Sequence, residues 1–521
     1  MEGFVSRHAD VVIGTLCGFD RLVFRGTLRR LAVVAGMRSY LWAAGVLLKD
    51  FAAHAAGLSG QLKASSEALA ERTGRPLRYL ASSAASKEQV AREIAAKDGV
   101  KRGLICVLSA VEPCLSYEIV RDRAQRRLVL MPRRRKCLHL YHYMLDPEFG
   151  FMHARIQTWF PFGVQVCLNG REWLARQMDA EGLDYLRRDN GFLWLEDAER
   201  AQALMHRQVR IAWQPRLDRI ARQLNPHHAA MFERFPQDYY WSTYQSEWAS
   251  DILFRDRASL GRLYPRLVQH GMTSFGSADV LRFLGRKVPL SGRPSSNLKA
   301  EVVSDLAARP EGVRLKHRLG ENSIKMYDKQ ERMLRIETTI NSAAGFKAFR
   351  RPEGKPDAPK GWQRMRKGIA DLHRRAQVSQ AANDRYLQAL ASVADNTALG
   401  ELTGRLGRPA RRGGRRVRPI NPYAPADAAL IQAIGRGEFA LNGLRNRDLR
   451  RLLCGETADP DLRRKQAGSI TRKLALLRTH GLIRKITGTH RYQLTATGRT
   501  IVTALNAARN ASVDAITNLA A

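Results

Sequence analysis

The chain has 521 residues, 44% hydrophobic and 26% charged, a balance that excludes a disordered polymer and predicts roughly two to four folded domains. Eighty-seven Lys and Arg face forty-nine Asp and Glu, a formal charge of +38. Such a surface repels itself until a polyanion shares it, so the expected partner is a nucleic acid, DNA first and RNA second. No run reaches the roughly twenty apolar residues of a spanning helix, the opening MEGFVSRHADVVIGTL lacks the parts of a signal peptide, and the six cysteines form no CxxC pair. These features argue against membrane, secretion and structural zinc, leaving the cytoplasm as the expected compartment.

Residues 1–205 read as an N-terminal α+β domain. Helical spacing from Leu28 to about Leu58 is followed by a short strand at PLRYL and a helix over SKEQVAREIAAKDGV, with a Ser start and a Gly stop. GLICVLSAV, RRLVLM, KCLHLYHYML and FMHARIQTWFPFGVQVCLNG are rich in aromatic and β-branched residues and predict strands. Helices from Arg171 to about Ala180 and from Ala198 to Arg222 follow. GFDRLVFRG and VEPC put Asp20 and Glu112 forward as further members of an acidic cluster.

Residues 206–400 form a central α+β domain. DYYWSTYQSEWASD is read as a helix, with Tyr240 and Tyr244 one turn apart and Glu247 and Asp251 likewise. Carboxylates so spaced can share a metal, and the tyrosines can act as nucleophile or stacking platform; equally, the aromatics can be core. VPLSGRPSSN predicts an exposed loop. Residues 313–340 divide into three strands of period-two alternation, one face apolar, the other offering Arg314, Lys316, Lys325, Tyr327, Arg335 and Glu337. Cations such as Lys325 would neutralise a phosphate, Glu337 could hold a divalent metal, and Tyr327 could attack phosphorus. The plainer alternative is a solvated face of a half-buried sheet. Helices resume from about Gly368 to Leu399.

Residues 401–425 are a linker dense in Arg, Gly and Pro, with Arg411, Arg412, Arg415 and Arg416 placed to lie along phosphates. Residues 426–521 predict three helices, two short strands around Gly488 and a closing helix. In the third helix Ile470, Leu474 and Leu477 make a buried stripe, while Lys465, Ser469, Arg472 and Lys473 lie off it.

The string TRKLALLRTHGLIRKITGTHRYQLTATGR resembles the recognition helix, wing and closing helix of winged-helix proteins, including MarR-like regulators. That resemblance implies that the third helix enters the major groove and that His490 and Arg491 touch the backbone or minor groove. NSIKMYDK followed by LRIE resembles a strand pair of the rolling-circle replication initiators of plasmids and filamentous phages, although no His-hydrophobic-His metal pair accompanies it. The order of motifs as a whole resembles that of a group of uncharacterised bacterial proteins carrying a C-terminal MarR-like winged helix.

The combined expectation is a multidomain α+β protein whose body has a mixed or antiparallel sheet, with a winged-helix DNA-binding domain at residues 426–521. Functionally it reads as a DNA-processing protein of mobile-element or plasmid type, a metal-dependent strand-nicking enzyme. Its catalytic candidates are Glu337, Tyr327, Lys325, Glu247, Asp251 and Tyr244, and Glu337, Glu247 and Asp251 are the ligands for Mg²⁺ or Mn²⁺. The alternatives are a non-catalytic winged-helix regulator, which needs no cofactor, and an RNA-binding protein using TWFPF and the arginine linker on single strands.

Overall fold

The computed structural model describes residues 1–82, 85–286, 302–310, 312–391, 399–436, 439, 443–486 and 489–510. The loop expected at VPLSGRPSSN and the turn expected at Gly488 lie outside them. From the N-terminus, the first stretch contains α1 (Glu2–Arg7), β1 (Val12–Thr27), α2 (Val34–Ala43), α3 (Phe51–Thr73), β2 (Leu77–Tyr79), α4 (Lys87–Lys97), β3 (Gly103–Asp122) and β4 (Arg127–Asp146). It continues through β5 (Gly150–Gln157), β6 (Val164–Asn169), α5 (Gly170–Glu181), β7 (Tyr185–Arg188), β8 (Gly191–Leu195), α6 (Ala198–Arg207), α7 (Trp213–Leu224) and α8 (His228–Met231). β9 (Tyr240–Phe254), α9 (Arg257–Ser274), α10 (Ser277–Phe283), β10 (Val302–Arg309), β11 (Gly312–Leu319), β12 (Asn322–Lys329) and β13 (Met333–Ile340) follow.

Helices and strands alternate with a large mixed sheet, so the chain is an α+β protein. It divides into two compact units, each assembled from separated segments: 14–253 with 337–380, and 1–13 with 254–336 and 381–521.

The unit built from 14–253 and 337–380 holds the strand order β13-β9-β1-β6-β5-β4-β3-β2, with the last four residues of β13 at one end. All the recorded pairings in it are antiparallel except β2 with β3. β1 is long because VIGTLCGFDRLVFRGT supplies aromatic and β-branched side chains to two covered faces. α5 begins directly against it: a Cβ on Gly170 would collide with the Phe19 carbonyl, so only glycine lets the helix start there. Asn169 caps α5 by accepting from the backbone N–H groups of Arg171 and Glu172.

The TWFPF string folds inward. Phe160 and Phe162 are fully buried, 4.6 Å apart, and Tyr40 packs on Phe160 at 5.4 Å. Burying each ring stabilises the unit by roughly 2–3 kcal/mol, and removes both from any stacking role on an RNA strand.

The segment read as a helix, 240–251, is instead the strand β9. Its Tyr, Trp, Thr and Ser content favours a pleated, covered surface over a helix, and it sits between β13 and β1. The stretch from Leu28 to Leu58 likewise is not one helix but α2 and the start of α3.

In the other unit, the expected three-stranded meander is present as β11, β12 and β13, with β10 adding a fourth antiparallel strand to β11. Its polar residues divide: Arg314, Lys316 and Lys325 are half-buried, whereas Tyr327, Arg335 and Glu337 are buried. Every residue of β13 is buried, and Arg335 is wholly inaccessible. Covering elements include α9, whose Tyr264 donates to the Val313 carbonyl at 2.7 Å, and α11 (Leu372–Leu390), whose Tyr386 meets His317 at 3.1 Å.

Beyond α12 (Leu399–Gly404) the expected linker contains a short hairpin, β14 (residues 347–350) and β15 (361–364) having preceded it, of β16 (Ala410–Arg412) and β17 (Arg415–Val417). Gly413 and Gly414 adopt positive φ there, the two-residue turn that lets so charged a stretch pair with itself. α13 (Pro425–Ile434), α14 (Asn446–Cys454) and α15 (Pro460–Thr479) follow, then the hairpin of β18 (Ile483–Lys485) and β19 (Tyr492–Leu494), and α16 (Ala496–Asn510). Ile470, Leu474 and Leu477 are buried as the spacing requires, in a core shared with Leu430, Leu449 and Ile501.

Candidate metal and nucleic-acid sites

Three carboxylates converge in the unit of 14–253 and 337–380. Asp20 from β1, Glu247 from β9 and Glu337 from β13 each offer an oxygen, and the three lie within 4.8 Å of one another. Adjacency of those strands explains the meeting: β9 lies between β13 and β1. Asp20 and Glu337 are buried, and Glu247 is nearly so.

Neighbouring side chains orient the group. Asn190 donates to both oxygens of Asp20, at 3.2 and 2.9 Å. Gln245 donates to Glu247 at 2.8 Å, Arg21 stands 3.8 Å from its other oxygen, and Thr339 donates to Glu337 at 3.4 Å. The donors are all hard oxygens with no thiolate or imidazole, the set that suits Mg²⁺ or Mn²⁺ rather than zinc.

Asp251, the expected partner of Glu247, is not in this group. On a strand, four residues span about 13 Å rather than one helical turn. Asp251 instead accepts from Arg171 Nη2 at 2.7 Å, and both side chains are essentially inaccessible. Glu112 is also elsewhere, held by Lys87 at 3.0 Å, Arg155 at 2.7 Å and the Tyr141 hydroxyl at 2.7 Å. Burial alone would raise its carboxyl, but the hydrogen bonds from Tyr141 and Lys87 and the charge of Arg155 outweigh that and hold it below the usual range.

Tyr244 is more than half exposed, and Tyr240 lies beneath the Arg29 guanidinium at 3.2 Å. In the other unit, Tyr327 is buried on β12, paired in register with Arg314, while Lys325 stands opposite Lys316. Arg314 is tied to Asp305 at 2.6 Å. Burial, together with the crowd of Lys325, Arg314 and Arg318, pulls the Lys316 ammonium below its usual range.

In the C-terminal helices, Lys465, Arg472 and His490 are exposed and Ser469, Lys473 and Arg491 half-buried. Ser469, Arg472 and Lys473 line an open groove with Gly413, Val417 and Arg418, so the hairpin of β16 and β17 flanks the helix face expected to be bare. Arg411 and Arg416 are exposed on that hairpin and pair in register, while Arg412 pairs with Arg415.

One cationic feature escaped the sequence reading. Beyond the reach of β2 and β5, β3 and β4 continue as a two-stranded ribbon, and Arg133, Arg134, Arg135 and Lys136 are all exposed along it. PRRR falls between the strand strings RRLVLM and KCLHLYHYML, and its run of cations with Lys136 is the available signal.

No family model, curated protein or solved structure matches the chain.

Proposed function

We propose that the chain is a DNA-processing protein that cleaves a phosphodiester with a divalent metal held by Asp20, Glu247 and Glu337. The observation carrying this reading is the meeting of those three carboxylates within 4.8 Å. Three carboxylates within reach of one ion, with Arg21 3.8 Å from Glu247, make a set of hard oxygens that a divalent cation complements. When bound, Mg²⁺ or Mn²⁺ would supply Lewis-acid charge to a phosphoryl oxygen.

The chain's own residues then have distinct tasks. Asp20, Glu247 and Glu337 hold the cation, Asn190 and Gln245 fix carboxylate orientation, and the cations of β4 and the C-terminal helices hold phosphates. The charge of +38 and the resemblance of NSIKMYDK and LRIE to replication initiators support DNA as the substrate. The helix, helix, helix, hairpin, helix order from α13 to α16 supports a winged-helix role in site finding. The nucleophile is a tyrosine or a water: Tyr244, more than half exposed, lies in the same unit as the three carboxylates, while Tyr327, the candidate by resemblance, is buried in the other unit.

The test is incubation of the whole protein with Mn²⁺ and labelled single- and double-stranded DNA. Wild type should cleave, Glu337→Gln should lose at least a hundredfold while still binding DNA, and Tyr244→Phe should abolish any covalent adduct if it is the nucleophile. Absence of metal-dependent cleavage of every DNA form by wild type replaces this reading with a non-catalytic DNA-binding regulator.

A further inference from the structure

Trp42, near the C-terminal end of α2, is 86% exposed. A single exposed apolar side chain is ordinary on a protein surface, and what sets Trp42 apart is the charge around it. Trp42 lines a shallow cavity of about 550 Å³ with Arg30, Arg38, Arg234, Ser39 and Phe235, and no carboxylate is among the lining residues.

The geometry separates ring from charge. Arg38 and Trp42 are one turn apart on α2 and share a face. The Arg30 guanidinium lies 3.6 Å over the Phe235 ring, which holds that cation at the rim. All three arginines are exposed. An exposed aromatic face ringed by cations fits a nucleobase with a phosphate on either side, because stacking uses the ring and the arginines take the backbone. A paired base has its faces covered by its neighbours and cannot lie on Trp42 without leaving the stack.

We infer that Trp42 is a stacking platform for an unpaired base of single-stranded DNA, whose flanking phosphates bind Arg30, Arg38 and Arg234. This inference rests on the nucleic-acid part of the proposed function but not on its carboxylate chemistry.

The experiment is fluorescence anisotropy of the full chain with a labelled fifteen-nucleotide oligothymidine, in EDTA so that no cleavage intervenes. Trp42→Ala should weaken binding about tenfold or more. Trp42→Phe should retain affinity to within about threefold, and binding to a fifteen-base-pair duplex should change less than about twofold. An oligomer with a central run of abasic sugars should bind wild type about as weakly as the alanine variant binds oligothymidine, and should not distinguish the two proteins. Because Trp42 is exposed, both variants should keep the wild-type melting temperature. Unchanged oligothymidine affinity overturns the inference, as does an equal loss on duplex. Loss confined to oligouridine, or to vesicles containing anionic phospholipid, also overturns it by naming a different occupant. A protein without metal-dependent cleavage but with the expected Trp42 effects leaves the platform standing and removes only the nuclease.

Discussion

The carboxylate cluster and the C-terminal helices place their charges in opposite ways. The first draws three acids from positions 20, 247 and 337 into one buried point. The second packs an apolar core between residues 406 and 505 and leaves cations such as Lys465 and Arg472 exposed. A buried site made of like charges depends on strand order and on whatever neutralises it, whereas an apolar core depends only on exclusion of water. The two regions should therefore fail in different ways when altered.

The largest loss should come from breaking the apolar side. Leu474→Asp puts an unpaired charge among Leu430, Leu477 and Ile501, costing about 4 kcal/mol or more. Circular dichroism should show the loss of helix, and duplex binding should fall with it. Retention of wild-type helicity would mean that Leu474 is not core.

Next in size is a contrast within β9. Asp251→Asn removes the partner of the inaccessible Arg171, and should destabilise by roughly 3–5 kcal/mol. Glu247→Gln, four residues away, relieves repulsion in the cluster and should leave the melting temperature unchanged or higher without metal. It should weaken Mn²⁺ binding by at least tenfold, read by calorimetry. If both variants melt alike, the strand does not separate a structural acid from a ligating one.

An effect that is smaller for each single group should appear in acid. Burial pushes His142 and His153 down to about 4, and burial together with Arg155 does the same for His139. Their folded values lie below the unfolded 6.5, so the unfolded chain binds more protons between pH 6.5 and 4. Stability is full above 6.5 and falls as pH drops toward 4, by up to about 3 kcal/mol per histidine. Melting temperature against pH checks this, and His142→Asn should flatten part of the slope.

The smallest effect belongs to the exposed cations. Arg472→Ala with Lys473→Ala should leave helicity intact, weaken duplex binding about tenfold, and reduce the salt slope of the affinity by about two. Unchanged binding would move the DNA contact to another face.

Local patterns were readable where neighbours in sequence are neighbours in space. The stripe of Ile470, Leu474 and Leu477 and the alternation of β11 to β13 needed no distant partner. Glu247 was singled out for the wrong reason, since helical spacing joined it to Asp251, and only the pairing of β9 between β13 and β1 turned it toward Asp20 and Glu337. Arg171 gave no signal, because a charge reads as exposed until its buried partner is known. Trp42 was hidden likewise: an apolar residue at helical spacing reads as core, and its exposure is a property of what surrounds α2.

The start of the chain has a different kind of dependence. Arg7 of α1 donates to the Ala391 carbonyl and, at 3.3 Å, to the Thr500 hydroxyl. Both partners are made hundreds of residues later by the ribosome. The unit ending at Gln380 has all its segments once that residue emerges, while the other must await more than a hundred further residues. At roughly 5–20 residues per second, the N-terminal helix passes about twenty to a hundred seconds with its final docking partners not yet synthesised, a window in which a nascent-chain chaperone has the first claim on Phe4.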